Sequence, residues 1–152
     1  MSVVTNSPLD FLKNNLEENR PCSSSEIKEL EKQLNICLPK IYVDFLLILG
    51  RGTQDFWKGE DCFFKHLPTL QIWARELLDE DKSLVKLPSD AFVFFMHQGY
   101  QFSFFKTSEG QDPPIYHYSE GQNKKHFIQI HNRFSDFLEA EINLFREYRC
   151  DS

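Results

Sequence analysis

EIKELEKQLNICLPKIYVDFLLILGRG, residues Glu26 to Gly52, carries two helical patterns that meet at one tight corner. In the first, Ile27, Leu30 and Leu34 recur at helical spacing while Glu26, Lys28, Glu29, Glu31 and Lys32 fill the other face, the pattern of a helix that buries one stripe. Ser23, three residues before Glu26, predicts a capping box. Asn35 is placed to stop this helix in the left-handed region. Pro39 suits the first turn of the next helix, where a missing N–H costs nothing. There Ile41, Tyr42, Phe45, Leu46, Ile48 and Leu49 are apolar on nearly every side, so the helix is expected to be buried. Gly50 and Gly52 are expected to end it, since both can take positive φ.

Toward the N-terminus, Pro8 to Glu18 reads as a short helix with Leu9, Leu12 and Leu16 on one face, followed by a polar connector. Toward the C-terminus, Thr53 to Lys65 is loop-like, contains the acidic pair Glu60–Asp61, and has room for a short strand at Cys62 to Phe64. Phe56 and Trp57 either lid the core, the preferred reading because large aromatics are mostly buried, or form an exposed binding anchor. Pro68 to Asp79 predicts a helix with Leu70, Trp73, Leu77 and Leu78 as its apolar side.

The strand signal is AFVFFMHQGYQFSFFK, Ala91 to Lys106. Phe92 to Phe95 is a continuous apolar run, which suits a central strand with both faces covered. After His97-Gln98-Gly99, Tyr100, Phe102 and Phe104 alternate with Gln101 and Ser103, the period of a strand. Gly99 is the expected turn or bulge residue. Pro113 to Tyr118 reads as a third strand and His126 to Ile130 as a short last one. Phe134 to Tyr148 closes with a helix whose stripe is Phe134, Phe137, Leu138, Ile142 and Phe145. These elements predict an α+β fold, with helices packed on one face of a mostly antiparallel sheet of about four to six strands. Phe45, Leu46, Phe94, Phe102, Phe104 and Phe137 are the expected core.

With 152 residues, 41% hydrophobic and 26% charged, one domain over 1–152 is expected, with the N-terminal helix and connector over 1–22 and the core over 23–149. The net charge of −6 disfavours nucleic acid and fits a basic protein partner. Met1 to Ser7 lacks the charged start and apolar stretch of a leader, and no run approaches a membrane span, so a cytoplasmic protein is expected. Cys22, Cys37, Cys62 and Cys150 form no C-x-x-C pair and read as free thiols.

Catalytic signatures are missing: the sequence has no H-E-x-x-H, no phosphate-binding glycine loop and no G-x-S-x-G. His97 lies near the strand turn and could meet His117 from a neighbouring strand, but nothing else in the sequence supports a ligand set. The expectation is a chain without catalytic residues, metal or cofactor.

Three segments resemble the SUKH superfamily, the group of the fungal cell-wall-assembly regulators and many bacterial immunity proteins. They are the string E-I-x-x-L-E-x-x-L-x-I-x-L-P-x-x-Y-x-x-F-L from Glu26 to Leu46, the H-Q-G-Y tetrad His97–Tyr100 between two aromatic runs, and F-x-x-F-L from Phe134 to Leu138. The resemblance implies a non-enzymatic protein-binding domain. Its first form is an immunity protein that binds and neutralises a cognate toxin, often a nuclease. The alternative is an intracellular interaction scaffold of the cell-wall-regulator type. A monomer or weak homodimer is expected, with no direct nucleic-acid or membrane partner.

A partner site is sought among exposed acids in loops: Glu60 and Asp61, Asp112, and Glu120. Asp112 and Glu120 flank the third strand, where Tyr116 and Tyr118 share a face. If that face is open, it offers aromatic anchors with an acidic rim. If it is covered, the tyrosines are core and the acids solvate turns.

Overall fold

In the computed structural model, which describes residues 7–122 and 125–150 apart from the side chains of 149 and 150, local sequence sets most element ends. The readings of Met1 to Asn6 and of the Cys150 thiol lie outside the described residues. Helix α1 spans Pro8–Asn15, shorter than the pattern to Glu18, and sends Leu12 into the core. Helix α2 (Ser24–Leu34) begins at the expected capping box: Glu26 N–H donates to Ser23 Oγ (3.2 Å) and Ser23 N–H to Glu26 Oε1 (3.0 Å). It stops at Asn35, which is left-handed at φ 53°, as Asn tolerates.

Helix α3 (Lys40–Leu49) has Pro39 at its N-cap position and no cap from its own neighbourhood. Its first N–H groups are met instead from the loop after the second strand: Lys40 N–H donates to Gln111 Oε1 (2.6 Å) and Ile41 N–H to the Gln111 carbonyl (3.2 Å). At the other end only Gly52 has positive φ (127°); Gly50 is in the right-handed region. Gly50 is there for room, since a Cβ at this position would lie 2.5 Å from Cys22 Sγ.

The expected strand at Cys62 to Phe64 is absent. A single backbone bridge joins Asp61 to Met96, and Phe64–His66 turns into a short 3₁₀ segment that leads into α4 (Leu67–Glu80). Strands β1 (Ala91–His97), β2 (Gln101–Lys106), β3 (Ile115–Ser119) and β4 (Ile128–His131) then form a four-stranded antiparallel sheet in sequence order. Helix α5 (Phe134–Cys150) returns across it. The chain is α+β, with helices packed on one face of this sheet and α4 lying along β1.

β1 is an edge strand, not a central one. Its continuous apolar run has another cause: the β1–β2 register shifts between Val93 and Phe95, so a bulge at Phe94 turns two consecutive phenylalanines toward the helices. Phe94 meets Tyr42, Phe105, Phe134 and Phe137, while Phe95 meets Trp57 and Phe137. The open side of β1 is sealed. The Gln71 side chain of α4 accepts from Val93 N–H (2.9 Å) and donates to its carbonyl (2.7 Å). The Asp61 backbone pairs with both Met96 groups. An edge treated this way has little left to offer a stray strand.

The helix-facing core is aromatic. Tyr42 of α3 contacts Phe92, Phe94 and Phe105 from the sheet and Phe134 from α5, with centroids 5.2–6.1 Å apart. Such pairs add about 0.5–1.5 kcal/mol each beyond area burial. All six expected core residues are buried. Phe56 is buried, and Trp57 is half-buried, stacked on Phe56 at 4.6 Å; the pair does lid the core. Trp73, assigned to the buried side of α4 by spacing, is instead 38% exposed.

On the opposite face, Phe102 stacks on Tyr118 and Phe104 on Tyr116. A strap beside Phe104 and Tyr116 has Val85 and Leu87 buried and Leu84 exposed. Cys22, Cys37 and Cys62 are free thiols.

Candidate functional site

The turn between β1 and β2 organises the site. Gln98 (φ 50°) and Gly99 (φ 78°) are both left-handed, and Tyr100 N–H closes the turn on the His97 carbonyl (3.2 Å). Only glycine takes such a φ without cost, so the H-Q-G-Y tetrad is the turn itself. It gathers three of the sequence-predicted acids at one end of the sheet. Both Glu60 carboxylate oxygens lie 2.7–2.8 Å from His97 Nδ1. Asp61 is fixed by its backbone bridge to Met96. Glu120 N–H donates to the Tyr100 carbonyl (2.8 Å), and its side chain is exposed.

The other predicted residues are placed elsewhere or turned inward. Asp112 accepts from Ser135 N–H (2.9 Å) and Ser135 Oγ (2.6 Å), which ties its loop to the start of α5. Tyr116 is half-buried and donates to Glu109 (2.9 Å). Burial, then the Glu109 contact, pushes its phenol up to about 12. Tyr118 is 1% exposed and donates to Asp81. That bond, with a second from Gly121 N–H (2.8 Å), holds the Asp81 carboxyl below its ordinary range. The tyrosine face between Asp112 and Glu120 is therefore largely covered.

What the tertiary structure adds is a groove of about 400 Å³ between α4 and the turn. Asp61, Glu76 and Glu80 bring three carboxylates to it, and no described lysine or arginine lines it. Trp73, Leu77 and Met96 supply an apolar wall. His66 stands beside it, with Nδ1 3.8 Å from Asp61 and its ring 6.4 Å from that of Trp73. Glu76 and Glu80 were legible as one turn of a helix. Their meeting with Asp61 was not, because it depends on how α4 docks on β1.

A second groove, about 260 Å³, lies on the other side of the turn, with Glu60, His97, His117, Phe137 and Glu141 among its lining residues. Burial raises the Glu141 pKa. A hydrogen bond from Trp57 Nε1 (3.1 Å) opposes that rise, and the Glu60 charge adds to it. Burial lowers the His117 pKa. His97 and His117 do line one groove, yet each is engaged separately: His97 with Glu60, His117 with Ser103 Oγ (3.1 Å), Gln101 and Ser119. Ser103 is 2% exposed, and its hydroxyl is paired with His117 Nδ1. Among the described residues no three His, Cys, Asp or Glu side chains converge as a metal-holding group, and no helix is long and apolar enough to cross a membrane. The arrangement is suited to recognition: three carboxylates beside a partly exposed aromatic ring.

The SMI1/KNR4 family (SUKH-1) matches residues 21–140, and the chain belongs to that family. It is also similar to the immunity protein YxxD of Bacillus subtilis (strain 168), at 28% identity over 138 residues, covering 85% of this chain and 86% of that protein.

Proposed function

We propose that this SUKH-1 chain is a non-enzymatic immunity protein that binds a cognate toxin domain and blocks it. The observation that carries the reading is the groove in which Asp61, Glu76 and Glu80 surround exposed Trp73 with no lysine or arginine among them. A basic partner seated there gains Coulomb contacts with three carboxylates at once. Trp73 and Tyr100, 38% and 39% exposed, take the part of anchors at the centre of an acidic surface completed by Glu60 and Glu120. The similarity to a protein named as an immunity protein supports the same reading. The chain then works in the cytoplasm as a monomer or weak homodimer, without nucleic acid or membrane as partner.

The test is association with the toxin domain encoded beside this chain, followed in real time. Charge reversal at Glu76 or Glu80 is expected to slow association by roughly tenfold at low salt, with the difference shrinking as salt is added. Trp73→Ala is expected to speed dissociation, as loss of a central aromatic anchor does. The same reversal at exposed Glu29 of α2, outside the groove lining, is the control and is expected to change little. If the groove variants bind like the parent, the proposed surface is wrong. If no neighbouring toxin binds at all, the immunity reading fails with it.

A further inference from the structure

The sheet face opposite the aromatic helices holds a third cavity, about 410 Å³, with Phe104, Tyr116 and Phe127 among its lining residues. We propose that it is a binding site for a small organic anion with a flat apolar body, of the class of nucleoside monophosphates and aromatic carboxylates. The volume is in the range of small-molecule sites, which are commonly ~300–1,000 Å³.

Its floor is aromatic. Phe104 lies against Tyr116 at 5.3 Å and 24°, and edge-on to Phe127 at 4.8 Å and 80°. Val85 and Pro88 of the strap form a wall. The rim carries Lys86, Lys106 and Lys125 together with His126, and among the described residues no carboxylate lines the cavity. Three of the chain's 17 lysines and arginines thus stand around one opening in a protein of net charge −6.

Two of those lysines are free. Lys86 and Lys125 are exposed and make no ion pair among the described residues. Lys106 is held: its Nζ lies 4.8 Å over the Tyr116 ring and 3.9 Å from Glu109, which sits outside the lining. A positioned ammonium beside an apolar floor, with two unpaired ones at the rim, favours an anion that carries its charge at one end and a ring at the other. A floor of this kind gives little reason to bind inorganic phosphate, which has nothing to bury there. The basic toxin of the previous section is repelled here, so this site is separate from that reading and needs no toxin to be tested.

The experiment titrates the full chain with AMP and with benzoate, each against its uncharged counterpart, adenosine and benzamide. Binding is read by calorimetry and mapped by backbone amide shifts. At least one anion is expected to bind with Kd below about 1 mM and about tenfold tighter than its neutral partner. Shifts are expected to concentrate at Val85, Lys86, Tyr116 and Phe127. Lys86→Glu combined with Lys125→Glu is expected to weaken that binding by tenfold or more, with an unchanged melting temperature because both side chains are exposed. Failure of both anions overturns the proposal, as does equal binding of charged and neutral partners. Anion binding that the double variant leaves intact, or shifts that map to another surface, overturns it too.

Discussion

The two faces of the sheet are built on different principles. On the face toward α3 and α5, rings from three elements interlock around Tyr42 and leave little to solvent. On the opposite face Phe104 and Tyr116 border, together with Val85 and Pro88 of the strap, a cavity of about 410 Å³. The acidic groove lies along the same side, where α4 meets Met96 and the turn. The densely packed face supplies stability. The opposite face keeps open space and unpaired charge, which is where recognition has room to occur.

The largest expected effect breaks this comparison directly. Phe94→Ala, or Phe45→Ala, which shares Tyr42 and Phe134 as ring neighbours, should cost roughly 3–5 kcal/mol in denaturant unfolding, because the surrounding rings cannot close on the hole. Phe104→Ala should cost distinctly less, since its neighbours already border open space into which they and water can move. Equal losses for Phe94 and Phe104 would erase the distinction between the faces.

A smaller effect is expected at the sealed edge. Gln71→Ala removes both hydrogen bonds to the Val93 backbone and should destabilise the fold by about 1–3 kcal/mol. Faster amide exchange at Val93 should accompany that loss. β4 makes a useful contrast, because Ile128 and Ile130 are each 38% exposed. Ile130→Thr should therefore change stability by less than about 1 kcal/mol. A silent Gln71→Ala would mean that the β1 edge does not need its side-chain cap.

The smallest effect is a pH dependence. The raised pKa of Glu141 means that the fold holds its proton more tightly than the unfolded chain does. The resulting stability is present below the ordinary carboxylate range and is lost as pH rises through the raised value. Glu141→Gln keeps an acceptor for Trp57 Nε1–H and removes the titration. The variant should melt up to about 2–4 °C higher than the parent at neutral pH, and the gain should vanish by about pH 4. His117 works in the other direction. Its lowered pKa gives stability that is present above the ordinary histidine value and lost as pH falls through the lowered one.

Much of this architecture is written in local patterns. The capping box at Ser23, the left-handed stop at Asn35, the turn at Gly99 and the stripe from Phe134 to Leu138 each depend on a few neighbouring residues. Periodicity and turn chemistry therefore place them, and the same segments carried the family resemblance. The readings that changed all involved a partner distant in sequence. Gly50 is fixed by Cys22, the start of α3 by Gln111, the Cys62 region by Met96, and Trp73 by the docking of α4. The candidate site divides along the same line. Composition and loop position put Glu60, Asp61, Asp112 and Glu120 forward as candidate acids. Whether Tyr118 is open or covered, and which carboxylates stand together, was decided by packing. A hydrophobic period states that a side chain is buried or exposed on its own element, but only the assembled sheet and helices determine what lies across from it.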